Sequence, residues 1–189
     1  MRPPGQIIQR LTQPSFHYLL VAGVLLIQPP AVADSADADN VVTGRWANDQ
    51  SILEITRQGE SLSARIFALL QPNYLPDEEF GPVGAPRRDD NNPDETLRER
   101  PLRNLELLSE YAQKGKRWEG KIYDPETGNT YSSRMELDDE GNLKMRGFLG
   151  ISLLGRTVVL EPLRNCTALM QDMLRNSSAF DAAPECREE

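Results

Sequence analysis

The stretch that decides the fold lies between Trp118 and Arg156 and has the sequence WEGKIYDPETGNTYSSRMELDDEGNLKMRGFLGISLLGR. Bulky and polar residues alternate in it, as they do in a strand whose side chains point to opposite faces in turn. Turn-forming residues interrupt the alternation at Asp124–Asn129, Asp138–Asn142 and Gly150–Gly155. Parallel crossovers need a dozen or more residues, so these short connections predict an antiparallel meander.

Further strand candidates lie on both sides of this stretch and bring the count to about eight. The eight are Val41–Ala47, Ser51–Gln58, Ser61–Leu70, Leu105–Tyr111, Trp118–Tyr123, Thr130–Leu137, Leu143–Leu149 and Arg156–Leu160. Eight antiparallel strands can close into an up-and-down barrel with room for one small ligand. The sequence therefore predicts an all-β barrel, followed by a short amphipathic helix at Asn165–Arg175 with Asn165 as its cap.

The N-terminal residues are typical of an export signal. Arg2 and Arg10 precede an apolar run at Tyr18–Ile27, which two prolines follow at once. That run is shorter than the roughly 20 apolar residues that span a bilayer. We expect a cleaved signal peptide at residues 1–33, a periplasmic or secreted protein, and no stable membrane insertion after cleavage.

The remaining chain divides by composition. We predict a flexible leader at residues 34–40, a barrel domain at 41–162 and a C-terminal helix and tail at 163–189. Residues 71–103 are rich in proline and charge, which predicts a long loop that is either a functional lid or a disordered insertion. Asp89–Asp94 is rich in oxygen ligands but lacks calcium-loop spacing, so it is interpreted as a solvated turn.

The charge balance argues against nucleic-acid binding. Residues 1–33 hold two of the 21 basic residues and none of the 29 acidic ones, which leaves a formal charge of −10 after cleavage. The net negative charge of such a protein repels polyanions such as nucleic acids, although a local basic patch can coexist with that net charge. We therefore expect no nucleic-acid partner, and the sequence identifies no protein partner.

Two cysteines, Cys166 and Cys186, lie in the C-terminal tail. An even number of cysteines in an exported chain favours a disulfide, and two free thiols are the alternative.

The residues that remain after export offer little for catalysis. The only histidine is His17, inside the predicted signal. The exported chain thus has no imidazole for general base work or for a histidine-based zinc site. Asp124 and Glu126 could form a carboxylate pair, but they lie in a predicted hairpin turn and are more simply solvated. We expect no enzymatic activity, no metal and no cofactor.

Two functional hypotheses remain. In the first, a small hydrophobic or amphipathic ligand packs inside the barrel. Its predicted contacts are Trp46, Trp118, Tyr131 and Phe148, with Arg146 facing an acidic head group. The alternative for these aromatic residues is a closed core that they simply fill. In the second hypothesis, the chain is a cell-envelope interaction module that uses the proline-rich loop or the outer barrel face.

Several motifs carry a resemblance to a known family. They are Gly44-x-Trp46, Asp90-x-Asn92-Pro93-Asp94, Arg98-x-Arg100-Pro101-Leu102, Ile122-Tyr123-Asp124-Pro125, Arg146-Gly147-Phe148-Leu149-Gly150 and Leu154-Gly155-Arg156. Together they resemble a bacterial exported family, domain of unknown function 2147, across residues 41–160. The resemblance implies a lipocalin-like (calycin) barrel in the periplasm or outside the cell, with no known activity, cofactor or catalytic residue. Asn104 and Leu160 stand where that family usually has glycine and tryptophan.

Overall fold

The computed structural model describes residues 42–148 and 155–187. Each strand is antiparallel to its sequence neighbours, and the last strand pairs with the first, so the sheet closes into a barrel. The strands are β1 Gly44–Ala47, β2 Ser51–Gln58, β3 Ser61–Leu69, β4 Leu108–Lys114, β5 Arg117–Asp124, β6 Asn129–Leu137, β7 Leu143–Phe148 and β8 Arg156–Pro162. The predicted eight-stranded all-β barrel is confirmed. The predicted signal and leader lie outside the described residues.

The inside of the barrel is filled by side chains. Tyr111, Met135, Leu143 and Leu160 each expose 1% or less of their surface. The Tyr111 hydroxyl donates a hydrogen bond of 2.5 Å to the Ser133 hydroxyl within this core, which satisfies both buried groups. Burial raises the pKa of Tyr111 to about 12. Burying each large apolar side chain contributes about 1.5–3 kcal/mol, so this interior is the main source of stability.

A second apolar cluster lies between the outer wall and the C-terminal segment. Helix α1, Ala168–Asn176, buries Met170, Met173 and Leu174 on one face. These side chains pack in the same cluster as Ile52 and Phe67 of β2 and β3. The predicted amphipathic helix on the barrel wall is therefore present.

A disulfide joins Cys166 to Cys186. It connects the segment just before α1 to a one-turn 3₁₀ helix at Pro184–Cys186, and Cys186 is itself buried in the second cluster. The predicted bridge is confirmed, and it holds the C-terminal tail against the barrel.

The boundaries of β1 and β4 differ most from the prediction, by three residues, and those of the other strands differ by two residues or fewer. β1 begins at Gly44 rather than Val41, since Gly44 has φ +124° and the Val42 carbonyl accepts the Trp46 indole N–H at 2.9 Å. β4 begins at Leu108 and runs through Lys114, beyond the predicted end at Tyr111. A bulge explains the extension, because Glu110 has φ +57° and shifts the register against β5.

The helix also begins later than predicted. Cys166 has φ +41°, which is incompatible with a helix that continues from Asn165. The cap is instead Thr167, whose hydroxyl accepts the Met170 N–H at 3.4 Å. Asparagine and threonine are both preferred cap residues, so composition alone did not distinguish the two positions.

We expect Gly128→Ala to cost more stability than Gly59→Ala. Both glycines have positive φ, +69° and +64°, which costs an alanine about 1–2 kcal/mol. At Gly128 the added Cβ would also overlap the Asn91 carbonyl oxygen, whereas at Gly59 it would meet nothing. Urea unfolding of residues 34–189 measures both losses. Equal losses would contradict the close packing of the Asn91 backbone on the β5–β6 turn.

Candidate functional site

The proline-rich loop at residues 71–103 has a defined structure. It folds back on itself through backbone hydrogen bonds from Tyr74 to Ala85 at 3.0 Å, from Asp89 to Arg100 at 2.9 Å and from Leu102 to Arg87 at 2.9 Å. A one-turn 3₁₀ helix lies between these pairs at Glu95–Leu97, and Asp94 caps it. Of the two predicted alternatives, a lid or a disordered insertion, the structure excludes the second.

A fully buried carboxylate, Asp89, fixes this loop to the barrel. The Tyr123 hydroxyl of β5 donates to Asp89 Oδ1 at 2.6 Å. Asn92 Nδ2 and Arg100 Nη2 donate to Oδ2 at 2.8 and 2.6 Å. We name Asp89, Asn92, Arg100 and Tyr123 the Asp89 cluster. A buried carboxylate is stable only when it is paired and hydrogen-bonded in this way, so the interpretation as a solvated turn is wrong for Asp89 and Asn92.

The electrostatics of the cluster act on Tyr123. Burial, followed by the hydrogen bond to Asp89 and the charge of Asp89, raises the pKa of Tyr123 to about 12. The tyrosine therefore stays protonated and remains a donor to the carboxylate at physiological pH. Next to the cluster, Asn91 Nδ2 donates to the carbonyls of Pro125 and Glu126 at 3.3 and 2.9 Å. The loop is thus bonded to both strand β5 and the turn that follows it.

The loop presents apolar side chains at its far end. Within residues 75–84, which we name the loop tip, Leu75, Phe80 and Val83 expose 43%, 64% and 66% of their surface. The Gly84 N–H donates to the Tyr74 carbonyl at 2.9 Å, so the base of the tip is closed. The loop tip therefore exposes large apolar side chains to solvent, and a backbone hydrogen bond closes the base of the segment that carries them.

The five predicted ligand contacts divide between the two faces of the sheet. Trp46 and Trp118 lie in the interior and expose only 4% and 2%, and Tyr131 lies half-buried on the same inward face. Arg146 and Phe148 alternate with the buried Met145 and therefore face outward. The five side chains do not line one pocket.

One position of the inward face, near the end of the barrel that carries the loop, has no side chain. Gly147 lies there, and a Cβ added to it would be 3.6 Å from Tyr131 Cβ and 3.9 Å from Ile122 Cγ2. Strand pairing places Arg156 opposite Gly147 on the same inward face, where it is exposed. We name Ile122, Tyr131, Gly147 and Arg156 the barrel mouth. Sequence reasoning missed Gly147 and Arg156 as a site, although the alternation from Leu143 could have placed Gly147 inward.

A groove of about 670 Å³ lies where the C-terminal tail meets β1 and β2. Arg45 forms ion pairs across it with Glu54 at 2.9 Å and Glu185 at 3.0 Å. Burial alone would raise the pKa of Glu54, but the guanidinium groups of Arg65 and Arg45 lower it. These mutually paired charges hold the tail on the barrel, which is a structural role.

Across residues 42–148 and 155–187, no three His, Cys, Asp or Glu side chains come together in a group that could hold a metal ion. In the same part of the chain, no helix has the length and apolar character needed to cross a membrane.

The closed eight-stranded meander with a helix on its wall defines a lipocalin-like barrel. The family model described as an uncharacterized protein conserved in bacteria (DUF2147) matches residues 44–161, and the chain belongs to that family. The fold is similar to that of a protein from the human pathogen Helicobacter pylori that belongs to the lipocalin family, with a TM-score of 0.51 and 17% identity. The match covers 71% of this chain and 96% of the other. No curated protein matches the chain.

The Asp89 cluster predicts a distinctive loss of stability at high pH. In the folded protein Tyr123 has a pKa of about 12, above its ordinary value of 10, so its contribution is complete below pH 10 and is lost between pH 10 and 12. Tyr123→Phe should remove that contribution and cost about 1–3 kcal/mol at neutral pH, because a buried carboxylate loses a donor. Urea unfolding from pH 7 to 12 measures both effects, and Tyr111 titrates alike in both proteins. Parallel pH profiles would contradict the Tyr123–Asp89 bond.

Proposed function

We propose that the protein is an exported lipocalin-like binding protein that takes a small hydrophobic or amphipathic ligand at the barrel mouth. The observation that carries this proposal is the absence of a side chain at Gly147. Beside it, the half-buried Ile122 and Tyr131 offer apolar surface that no side chain from β7 covers at that position. Small-molecule sites usually combine an apolar lining with a few polar groups.

Because the interior is filled, a ligand site at the barrel mouth is favoured over one in the middle of the barrel. Trp46, Trp118 and Tyr111 each expose 4% or less, and they pack in one continuous cluster. A ligand placed among them would have to displace well-packed side chains, which costs several kcal/mol for each. The predicted contacts Trp46 and Trp118 therefore support the site from below rather than touch the ligand.

Arg156 determines the ligand chemistry of this proposal. Arg156 is exposed and opposite Gly147, and its guanidinium can pair with a carboxylate or another acidic head group. The apolar part of the same molecule then packs on Ile122 and Tyr131. The only histidine in the chain is His17, so we propose binding rather than catalysis.

The proposal also includes export through a signal peptide at residues 1–33. The Cys166–Cys186 disulfide supports it, since disulfides persist in oxidising compartments such as the periplasm and the extracellular space.

The test is a substitution that fills the barrel mouth with a larger side chain. In Gly147→Leu, the added Cβ makes ordinary contacts of 3.6–4.0 Å, so the barrel should fold while the side chain blocks the site. Dansyl-labelled undecanoic acid, an amphipathic carboxylate, serves as the fluorescent probe. We expect its affinity for residues 34–189 to fall about tenfold or more in the variant, or about 1.4 kcal/mol.

Thr130→Leu is the matched control, because Thr130 is exposed and pairs with Tyr123 on the wall below the loop. It adds similar bulk away from the mouth and should leave the affinity unchanged. Equal affinity of the wild-type protein and Gly147→Leu for the probe would contradict the proposal. Failure of the wild-type protein to bind the probe would contradict it as well.

The loop tip favours a second function, the binding of another cell-envelope protein. Phe80 and Val83 are among the most exposed large apolar side chains of the described residues, and the Asp89 cluster supports the segment that carries them. Exposed aromatic anchors on a preorganised scaffold are typical of protein-binding sites, because little conformational entropy is lost on docking.

This second function is tested by the double variant Phe80→Ser and Val83→Ser. Deletion of residues 76–96 would be less informative, since it would also remove Asp89 and Asn92. Tagged residues 34–189 should retain a specific envelope protein that the double variant loses, with equal thermal unfolding of both. Glu60→Ser, in the exposed β2–β3 turn, is the control and should retain the partner. A partner held equally by the double variant would contradict this function.

A further inference from the structure

The exposed apolar surface of the protein is concentrated on the loop tip. Among the described residues, five large hydrophobic side chains are exposed, and Leu75, Phe80 and Val83 of the loop tip are three of them. The other two, Val159 and Leu169, lie on β8 and α1. Apolar side chains that are exposed singly need no explanation, but a group of three on one short segment is typical of an interaction site.

A buried aromatic ring supports the loop tip from below. Tyr74 is 2% exposed, and its hydroxyl donates to Asp90 Oδ2 at 2.6 Å and accepts the Arg88 N–H at 3.1 Å. Gly81 packs directly on this ring, since a Cβ added to it would overlap the ring atoms. The segment that carries the apolar side chains is thus ordered before any partner binds, which reduces the entropy that docking costs.

Two carboxylates lie next to the apolar side chains. Asp77 and Glu79 are exposed, and neither forms an ion pair with another described residue. Glu78 between them is paired with Arg87 at 2.5 Å and is therefore already neutralised. The loop tip thus combines an apolar surface with a negative charge. A complementary partner offers apolar surface next to a positive charge.

The barrel mouth of the same chain has this character. Ile122 and Tyr131 are half-buried, and Gly147 beside them has no side chain that could cover them. Arg156 is exposed opposite Gly147 and forms no ion pair with another described residue. The apolar surface and the positive charge that complement the loop tip are therefore both present on this protein.

The loop tip and the barrel mouth belong to the same end of the barrel. The loop leaves β3 after Leu69 and returns to β4 at Leu108, and its Asn91 binds the β5–β6 turn. Each mouth residue lies within two residues of a strand end on this side. A two-fold axis at this end is therefore compatible with a pair of copies in which each loop tip meets the mouth of the other. Such an arrangement is closed, so association stops at the dimer.

We propose that the loop tip docks on the barrel mouth of a second copy of this protein, and that two copies pair in this way around a two-fold axis. The proposal rests on the second function given above, the binding of a protein by the loop tip, and names the partner. Phe80 and Val83 of one copy pack on the mouth of the other, where Arg156 attracts the acidic side chains of the tip. The two identical contacts act together, so neither has to be strong alone.

Sedimentation velocity of residues 34–189, from about 1 µM to about 1 mM, measures the association. We expect a concentration-dependent dimer and no larger species. The double variant Phe80→Ser and Val83→Ser should dimerise about tenfold or more weakly, because it removes the apolar surface of the tip. Gly147→Leu should have the same effect, because it fills the mouth. Leu169→Ser removes an exposed apolar side chain from α1 and is the matched control, which should dimerise like the wild type.

A mixture of two variants tests the contact itself. The double variant keeps an intact mouth, and Gly147→Leu keeps an intact loop tip. Together they can form one of the two contacts, so a heterodimer should appear at concentrations where each variant alone is a monomer. Loss of dimerisation through misfolding would not be rescued by mixing, and thermal unfolding of each variant checks its fold independently.

A charge reversal tests the role of Arg156. Arg156→Glu places a negative charge opposite the acidic side chains of the loop tip and should weaken dimerisation about tenfold or more. Arg134→Glu makes the same change on the outer wall, since Arg134 alternates with the buried Met135, and should leave dimerisation unchanged.

Four results would overturn the proposal. The first is a monomer over the whole concentration range, and the second is a series of species larger than the dimer. The third is a dimer that both the double variant and Gly147→Leu form as readily as the wild type. The fourth is a mixture of these variants that stays monomeric. A monomer that still captures a different envelope protein through its loop tip would contradict the pairing and leave the second function intact.

Discussion

The side chains of its own strands fill the interior of this eight-stranded barrel, and this packing limits where a ligand could be accommodated. In this chain Tyr111, Met135 and Leu143 occupy the middle completely. The buried hydroxyl bond between Tyr111 and Ser133 leaves that region without an unpaired polar group. The ligand site that we propose is therefore placed at the end of the barrel that carries the loop and not in its middle.

The Asp89 cluster determines how the open end is built. Asp89 accepts from Tyr123 of the barrel and from Arg100 of the loop, so one carboxylate joins two parts of the chain that are distant in sequence. Because removal of one partner leaves a buried charge unpaired, each member of such a group is costly to lose. The loop thus behaves as part of the barrel, which supports both the loop tip and the neighbouring mouth.

Alternation and turn residues predicted β2 and the β5–β7 meander well, because each strand there has one buried face and ends in a turn-forming segment. They did not predict the bulge at Glu110 or the burial of Asp89, since both depend on neighbours remote in sequence. The candidate site was harder to predict from the sequence than the strands were. Alternation shows that Arg146 and Gly147 face opposite ways, but only the pairing register shows which faces the interior, and a slip of one residue exchanges them.

The order of strands also has a consequence for how the chain folds. The hairpins from β4 to β8 join residues close in sequence, whereas closure pairs Trp46 with Pro162 at the two ends of the barrel. Closing a long loop costs entropy before its contacts repay it, so distant pairings form late and slow the reaction. We infer that the β4–β8 meander pairs before β1 does, so the edge of β8 stays unpaired and open to pairing with another chain until the barrel closes.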